Sequence, residues 1–449
     1  MSDFVDQAKE SILGDWENFD SIIRKELFNK RSAVDQAIYK TIRTILRRKI
    51  KGETINHAKY KSIRAALRRK VETEPEKEHN FLKSFIEEDF KLKNVNRNLY
   101  FVLFDFYIES LMFIRTSRTI SKFGDMIPTE SFLMRMNEIL QREKTVRGKH
   151  GSYVYWSAVF HYLNNNHAES FRLFCLSDKF KPSKFKLDRY MMGARTVIPN
   201  INDVLNTSPL IEFNKKLNFE KREPLGSEEM VILTCADEIY FERLGDIYLE
   251  SFSNLTKNVR LHIHIMRKSD KPLNLDKLKN WEGLKVDVTS SDATPYHEKS
   301  WFTVARWLLL PALLKTYQKP VLVTDFDVSF DPEGFSNYVD IAKDYDIALN
   351  INKFPSNYMP WNTVNANQVF VNNTELGALF SSALRDVSLR WYDVRRGDQW
   401  WIDQNILYAC YRDLMRSCHS MKVMNNLKYP TIKRIVKEKK EYLEAGVTV

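Results

Sequence analysis

The strongest constraint on the fold is an alternation of apolar, strand-forming runs with helical segments in the second half of the chain. The runs Met230–Cys235, Leu261–Met266 and Pro320–Thr324 are short and apolar, and segments such as Tyr240–Phe252 between them have helical periodicity. Strands that alternate with helices form a mostly parallel sheet with helices on both faces. The sequence therefore predicts an α/β domain over residues 226–449.

The first half of the chain has a different pattern, which predicts an all-helical region over residues 1–225. An internal repeat, A-x-Y-K-x-I-R-x-x-L-R-R-K, occurs at Ala37–Ile50 and again at Ala58–Val71. Each copy is a basic amphipathic helix, which suits docking on an anionic surface, although a helical hairpin with a solvated basic face is the commoner structure. Residues 153–176 form a further predicted hairpin that faintly resembles a tetratricopeptide unit.

Composition limits the class of protein and its partners. With 43% hydrophobic residues the chain can bury a large core, and a net charge of +11 favours an anionic partner: a membrane surface, a phosphorylated glycan, nucleic acid or a sugar diphosphate. The four cysteines lack metal-binding or disulfide spacing, which fits a reducing compartment. The first ten residues do not resemble a secretory signal, and Asp105 interrupts the apolar run Leu99–Ile114. We predict a cytoplasmic protein with peripheral contact at the inner face of a membrane through the basic helices.

Two carboxylates, Asp325 and Asp327, follow the predicted strand Pro320–Thr324. Ligands bind α/β sheets at the carboxyl ends of their strands, and carboxylates this close repel one another unless a cation holds them. Oxygen ligands without neighbouring cysteine or histidine favour Mn²⁺ or Mg²⁺, which bridge to phosphate oxygens. The alternative is an aspartate-rich turn, because Asp331 and Pro332 follow closely.

The surrounding motifs resemble the GT-A-fold glycosyltransferases. Residues 300–331, SWFTVARWLLLPALLKTYQKPVLVTDFDVSFD, resemble their arginine-bearing helix, Leu-Pro step, strand and D-x-D motif. Residues 365–372, NANQVFVN, are similar to their Asn-Ala-Gly strand, and residues 401–404, WIDQ, to their Asp-Gln element. The resemblance covers about residues 229–410 and is nearest to the lipopolysaccharide galactosyltransferase and glycogenin type. It implies a Rossmann-like domain that transfers a sugar from a nucleotide-sugar, with a UDP-sugar favoured as the donor. The acceptor would be a glycan, a lipid-linked molecule or a protein, and we expect no nucleic-acid partner.

The resemblance also implies roles for individual residues. Asp325 and Asp327 would hold manganese on the donor diphosphate, and Arg306 would contact the donor phosphates or the sugar. The residues implied to face the nucleotide are Thr234, Cys235, Ala236, Asp237 and Tyr240, and those implied to face the transferred sugar are Asn365, Asp403 and Gln404. Asp403 is the candidate base that an inverting enzyme would need. Read as structural residues, Asp237 and Asp403 are helix caps and Asn365 is a strand-edge hydrogen-bonding residue.

Two positions depart from this family pattern. The usual histidine of a late G-x-x-K-P-W run is missing, so that His419, the only histidine late in the chain, is the candidate third metal ligand; a lone histidine is more often packed or exposed. Asn367 stands where the family has glycine, which implies an acceptor-side pocket of different shape.

A second class of enzyme fits the same aspartates. The sequence around Asp325 also resembles the first motif of haloacid-dehalogenase-type phosphatases, with Asp325 as nucleophile, and Gly397 and Asp398 with Asp403 resemble their metal motif. The strand-helix-strand segment before Asp325 and the tryptophan-rich loop WYDVRRGDQWW favour the transferase. A third interpretation is a catalytically inactive glycan-binding module.

Overall fold

The computed structural model of the chain describes residues 76, 79–80, 83, 97–114, 118–120, 126–177, 180, 196–213, 217–268, 273–292, 299–352, 359–393, 399, 401–429 and 431–434. The chain divides into two compact units, one of Met1–Thr119 with Pro128–Trp156 and one of Ile120–Ile127 with Ser157–Val449. The predicted basic helices at 37–50 and 58–71 lie outside the described residues. The predicted domain boundary between residues 225 and 226 stays a prediction.

The first unit contains the helices α1 (Arg97–Phe113) and α2 (Glu130–Arg147). Thr129 caps α2, because its side-chain oxygen accepts a hydrogen bond from the backbone N–H of Phe132. Asp105, the polar interruption of the apolar run, is buried in α1 and accepts a hydrogen bond of 2.8 Å from the indole of Trp156. The run is therefore helical, with most of its described side chains from Phe104 onward buried, and among the described residues no helix is long and apolar enough to cross a membrane.

The strands β1 (Arg118–Ile120) and β2 (Met126–Pro128) form a small two-stranded sheet. Residues 153–176 lie within two helices, α3 (Gly151–Leu163) and α4 (His167–Ser177), and the resemblance to a tetratricopeptide unit stays a prediction. The hydroxyl of Ser170 in α4 donates to the carbonyl of Ala158 in α3 and ties the two helices together.

The second unit is built on an eight-stranded sheet. The remaining strands are β3 (Phe219–Lys221), β4 (Met230–Asp237), β5 (Val259–Arg267), β6 (Val286–Asp292), β7 (Val321–Thr324), β8 (Val328–Phe330), β9 (Ile347–Ile351), β10 (Val364–Val371), β11 (Val423–Asn425) and β12 (Ile432–Arg434). The order across the large sheet is β11-β9-β10-β7-β4-β5-β6-β3, while β8 pairs with β12. Within the large sheet β3 and β10 run antiparallel to their neighbours and the other pairs are parallel, whereas β8 and β12 pair antiparallel. The predicted mostly parallel α/β sheet is confirmed.

Helices cover both faces of this sheet. They are α5 (Ile201–Leu205), α6 (Glu238–Ser253), α7 (Lys299–Tyr317), α8 (Pro332–Ala342), α9 (Pro360–Thr363), α10 (Glu375–Trp391) and α11 (Ile402–Ser417). Residues of α7, α10 and α11 form one buried apolar cluster with the sheet, and residues of α6 and α8 form another on the opposite face. Strands β7 and β9 are buried along their whole length, which explains their apolar sequences.

The topology brings distant segments to one edge of the sheet. The parallel strands β4 and β7 end side by side, with Thr234 opposite Thr324. Because β10 runs the other way, its first residues lie at that same edge, where Gln368 pairs with Thr324 and Asn365 with Asn350. We call this side of the sheet the carboxyl edge.

A chain of hydrogen bonds, the histidine ladder, runs between β5 and β6. The ring of His262 is hydrogen-bonded to the hydroxyls of Tyr317 (2.7 Å) and Thr289 (2.8 Å). The ring of His264 is hydrogen-bonded to the hydroxyls of Thr289 (2.9 Å) and Ser291 (2.9 Å). Burial lowers the pKa of both histidines to about 3, with a smaller contribution from Arg260 at His262. Both rings are therefore neutral near pH 7.

Because of the histidine ladder, the protein should be less stable in mild acid. The unfolded histidines titrate at a pKa of about 6.5, so between roughly pH 6.5 and pH 3 the unfolded state binds protons that the folded state excludes. The free energy of unfolding, measured by urea denaturation, should decline less on acidification from about pH 7 to about pH 4.5 in His262→Asn/His264→Asn than in the wild type. His419→Asn, which alters an exposed histidine, should keep the wild-type slope. If the free energy of unfolding has the same slope against pH in all three proteins, His262 and His264 are not buried in their neutral forms.

Alanine substitutions at two helical glycines should have opposite effects on the stability of the protein. A Cβ on Gly377, in the first turn of α10, would lie 2.2 Å from the backbone oxygen of Asn372, whereas a Cβ on Gly245 in α6 would meet nothing closer than 3.6 Å. Gly377→Ala should lower the melting temperature, because backbone must move. Gly245→Ala should raise the stability by up to about 1 kcal/mol, because alanine restricts the unfolded chain. Thermal unfolding of both variants checks this, and an unchanged Gly377→Ala protein would contradict the close approach of α10.

Candidate active site

The two predicted metal-binding aspartates flank a buried aromatic ring. Asp325, Phe326 and Asp327 connect β7 to β8; Phe326 is 2% exposed and stacks on Tyr248 at 4.8 Å between ring centroids. The hydroxyl of Tyr248 shares a hydrogen bond of 2.8 Å with that of Thr324 at the end of β7. Asp325 and Asp327 are half-buried. The ring thus anchors the connection, and both carboxylates remain accessible at the carboxyl edge.

A buried arginine joins two of the predicted site residues. Arg306 on α7 donates from Nη1 to Oδ1 of Asp325 (2.7 Å) and from Nη2 to Oδ2 of Asp403. Its Nε donates to the backbone oxygen of Thr303 (2.9 Å), and its guanidinium carbon lies 4.9 Å from the ring centroid of Trp307. Arg306 is only 5% exposed. We call the set Asp325, Arg306 and Asp403 the arginine bridge.

The charges of the arginine bridge depend on one another. Burial raises the pKa of Asp403, Arg306 opposes that rise, and the negative charge of Asp325 adds to it. Burial also disfavours the charged form of Arg306, but the two carboxylates outweigh it and raise its pKa. The guanidinium therefore stays charged, and the bridge carries one net negative charge when both carboxylates are ionised.

The start of α11 brings Asp403 and Gln404 to this edge. The helix is preceded by Trp401 with a left-handed φ of 74°, an uncommon and strained conformation for a bulky side chain. Trp401 holds the N-cap position without a side-chain cap, and Asp403 lies in the first turn with its carboxylate on Arg306. Asp403 is therefore not the helix cap that its position suggested. The side-chain amide of Gln404 lies against the backbone oxygens of Trp361 (3.0 Å) and Val364 (3.1 Å), and the orientation that turns its nitrogen toward them lets it donate to both.

The first residues of β10 lie directly beside Asp325. The backbone N–H of Asp325 donates to the carbonyl of Asn367 (3.2 Å), and the N–H of Asn367 donates to Oδ1 of Asn365 (3.0 Å). Both asparagines are half-buried. Asn365 therefore lies at the carboxyl edge with the arginine bridge, and its hydrogen bond is made within its own strand end.

The end of β4 holds the five residues implied to face the nucleotide. Thr234 and Ala236 are buried, and burial raises the pKa of the Cys235 thiol to about 12, so that this thiol is neutral. Tyr240 is half-buried, and its ring centroid lies 6.4 Å from that of Phe326. Asp237 caps α6, because its Oδ1 accepts from the backbone N–H of Tyr240 (2.7 Å). Their contact with a nucleotide stays a prediction.

The sequence did not single out Lys268, which lies at the same edge. It follows β5 directly, and its Nζ is 2.5 Å from Oδ2 of Asp237 and 4.7 Å from the ring centroid of Phe302 on α7. The sequence signal that could have found Lys268 was its place two residues beyond the predicted strand Leu261–Met266, because ligand-binding groups gather at the carboxyl ends of parallel strands.

The structure does not bring His419 to the carboxylate pair. Asp403 lies in the first turn of α11, and His419 lies beyond the last turn of this 16-residue helix, which is about 24 Å long. His419 is exposed there. Among the described residues, no three or more histidine, cysteine, aspartate or glutamate side chains are grouped to hold a metal. A cation at this edge would have Asp325 and Asp327 as its protein ligands. Gly397 and Asp398 lie outside the described residues.

Comparison with solved structures returns glycosyltransferases, the class that the motifs resemble. The glycosyltransferase GlyE of Streptococcus pneumoniae TIGR4 is 15% identical over 45% of this chain and 46% of its own, with a TM-score of 0.30. The galactosyltransferase LgtC, crystallised with donor and acceptor sugar analogues, is 16% identical over 40% of this chain and 70% of its own, with a TM-score of 0.26. Mouse xyloside xylosyltransferase 1 is 11% identical over 43% of this chain and 83% of its own, with a TM-score of 0.28.

These likenesses are partial. The match to the first of these structures spans less than half of that protein's length. No protein-family model and no curated protein matches the chain.

Replacing Arg306 should lower the free energy of unfolding by an amount that depends on pH. Arg306→Met keeps the volume but leaves Asp403 buried beside Asp325 without a counter-charge, which should cost roughly 3–5 kcal/mol of unfolding free energy near pH 7. This loss of unfolding free energy should be smaller near pH 5. Without the guanidinium the pKa of Asp403 rises further, and a protonated Asp403 no longer carries a buried charge.

Denaturant unfolding of Arg306→Met at both pH values measures this penalty. Arg306→Met/Asp403→Asn serves as the control and should recover part of the loss, because it no longer buries a carboxylate. If the loss of unfolding free energy is the same at both pH values, or is larger in Arg306→Met/Asp403→Asn, Arg306 does not balance the charge of Asp403.

Proposed function

We propose that the chain is a glycosyltransferase that uses a nucleotide-sugar donor, with Mn²⁺ or Mg²⁺ held by Asp325 and Asp327. The observation that carries this proposal is the arginine bridge, which joins the carboxylate after the central strand β7 to the start of α11. The bridge lies at the edge where α/β sheets bind ligands, beside Asn365. Cationic, carboxylate and amide groups together suit a phosphorylated sugar.

The two aspartates fit a divalent cation of this kind. Both are accessible, and Asp325 uses only Oδ1 to bind Arg306, which leaves Oδ2 for a metal. Two carboxylates without further protein ligands suit Mg²⁺ or Mn²⁺, which keep positions for water and for substrate phosphate oxygens. When bound, such a cation supplies charge stabilisation to the departing nucleoside diphosphate.

The chain's own residues would bind and orient the donor. Arg306 is fixed by two carboxylates and a backbone oxygen, and its remaining N–H groups offer charge to a phosphate or a sugar oxygen. Lys268 offers a second positive charge beyond β5. Asn365 offers an amide to sugar hydroxyls.

The geometry supports Asp403 as a residue that positions Arg306. Its carboxylate is buried against the guanidinium, so an acceptor hydroxyl would have to approach a group that already has a cationic partner. The role of general base in an inverting reaction stays a prediction, as does the role of Gln404, whose amide holds the entry to β10.

The phosphatase alternative is less well supported. In that reaction Asp325 would attack phosphorus and Asp403 would share its metal ion, but the guanidinium of Arg306 lies between the two carboxylates. Four strands, β3 to β6, also precede β7 in this sheet, whereas the nucleophile strand normally opens a phosphatase domain. A glycan-binding module without catalysis stays open to experiment.

The acceptor is proposed to be a hydroxyl of a glycan, lipid-linked or protein substrate. The net charge of +11 supports an anionic acceptor or a peripheral membrane contact. The basic helices proposed to make that contact lie outside the described residues.

Nucleotide release tests the function. The purified protein is incubated with Mn²⁺ and a panel of UDP-, GDP-, dTDP- and CMP-sugars, alongside Asp325→Asn/Asp327→Asn. We expect release from one donor only, dependent on the metal and reduced roughly hundredfold or more in the double variant. Asp344→Asn, an exposed aspartate at the far end of α8, is the matched control and should keep full activity.

The other outcomes separate the alternatives. Cleavage of simple phosphomonoesters without nucleotide release would establish the phosphatase. Binding of a nucleotide-sugar or glycan without any turnover would establish the binding module.

A further inference from the structure

Two asparagines on neighbouring strands hold one another beside Asp325. Nδ2 of Asn350, on β9, donates to Oδ1 of Asn367, on β10, at 2.5 Å. The backbone of Asn367 makes two further contacts: its carbonyl accepts from Asp325 and its N–H donates to Asn365. Three hydrogen bonds therefore fix Asn367 next to the carboxylate proposed to hold the cation.

An irregularity in β10 exposes this asparagine at the sheet edge. Asn365 pairs with Asn350, but the next pair is Val369 with Leu349, so that β10 advances four residues where β9 advances one. Val364 before this bulge, Ala366 within it, and Val369 and Val371 after it pack into the same apolar cluster. The alternation of the strand is thus broken between them, and Asn367 is half-buried. Bulges next to active sites re-aim side chains in this way.

The hydrogen bonds leave one group of Asn367 for a ligand. Because its Oδ1 accepts from Asn350, its Nδ2 is the free end of the amide, and among the described residues no hydrogen bond is made by this nitrogen. Nδ2 is a neutral donor with two N–H bonds, so it suits a neutral oxygen acceptor. A sugar hydroxyl is such an acceptor, and a donor bound to a cation on Asp325 would carry its sugar at this edge.

We propose that Asn367, which the resemblance placed on the acceptor side, is instead a specificity-determining residue of the donor pocket, whose side-chain nitrogen donates a hydrogen bond to a hydroxyl oxygen of the sugar. This inference rests on the proposed glycosyltransferase function and names the kind of sugar: one with a free hydroxyl at the position that faces β10. A deoxy sugar at that position leaves the amide unpaired and binds less well. Asn350 is a positioning residue, because it acts by turning the amide of Asn367.

Binding of the sugar can be separated from binding of the nucleotide. Calorimetry on the full chain with Mn²⁺ compares the active donor from the panel with its nucleoside diphosphate alone. Asn367→Ala should weaken the nucleotide-sugar by roughly tenfold, the effect of one lost hydrogen bond, and leave the diphosphate within about twofold. Asn373→Ala is the matched control, since Asn373 is exposed beyond the opposite end of β10.

A second readout uses deoxy analogues of the donor sugar. The wild type should discriminate against the analogue that lacks the hydroxyl facing Asn367, and Asn367→Ala should lose that discrimination while it still binds the diphosphate. Equal effects on the nucleotide-sugar and the diphosphate, or no effect on either, would overturn the assignment of Asn367. A wild-type protein that binds neither ligand would instead overturn the proposed function, and the role of Asn367 with it.

Discussion

The site depends on one buried positive charge. Arg306 reaches from α7 to the residue after β7 and to the first turn of α11, so that a single guanidinium holds three separate parts of the chain together. A buried arginine is costly unless its hydrogen bonds are satisfied, and here two carboxylates and a backbone oxygen satisfy them. The positions of Asp325, and through it of the first residues of β10, are consequences of that requirement. A cation at Asp325 would share this carboxylate with Arg306, so the electrostatics of donor binding and of folding are coupled.

Much of the sheet was predictable, because its strands are buried on both faces and have continuous apolar sequences. Pro320–Thr324 and Met230–Cys235 correspond to β7 and β4, and Asp237 is the cap that its position before α6 suggested. The direction of β10 was not predictable from periodicity, since antiparallel and parallel strands in a covered sheet have the same apolar pattern. That reversal brings Asn365 to the carboxyl edge.

The contacts within the site were beyond local sequence patterns. Arg306 and Asp403 are 97 positions apart, and their pairing follows from where α7 and α11 pack, which spacing alone does not report. Asp403 looked like a helix cap, but a strained Trp401 holds that position and turns Asp403 inward. His419 was considered because it is the only late histidine, yet the length of α11 carries it away from the aspartates. Family resemblance supplied the order of the motifs, whereas the structure supplies their proximity.

The histidine ladder has a consequence for how the sheet assembles. Thr289 is hydrogen-bonded to both His262 and His264, and Asp287 receives both Arg260 and the hydroxyl of Tyr317. Parallel strands of similar apolar composition could slide past one another by two residues and still bury their side chains. Such a slip of β5 against β6 would break the ion pair between Arg260 and Asp287 and the hydrogen bonds that both imidazoles make to Thr289. The ladder therefore acts as a register lock, which makes mispaired forms of the nascent sheet too unstable to persist.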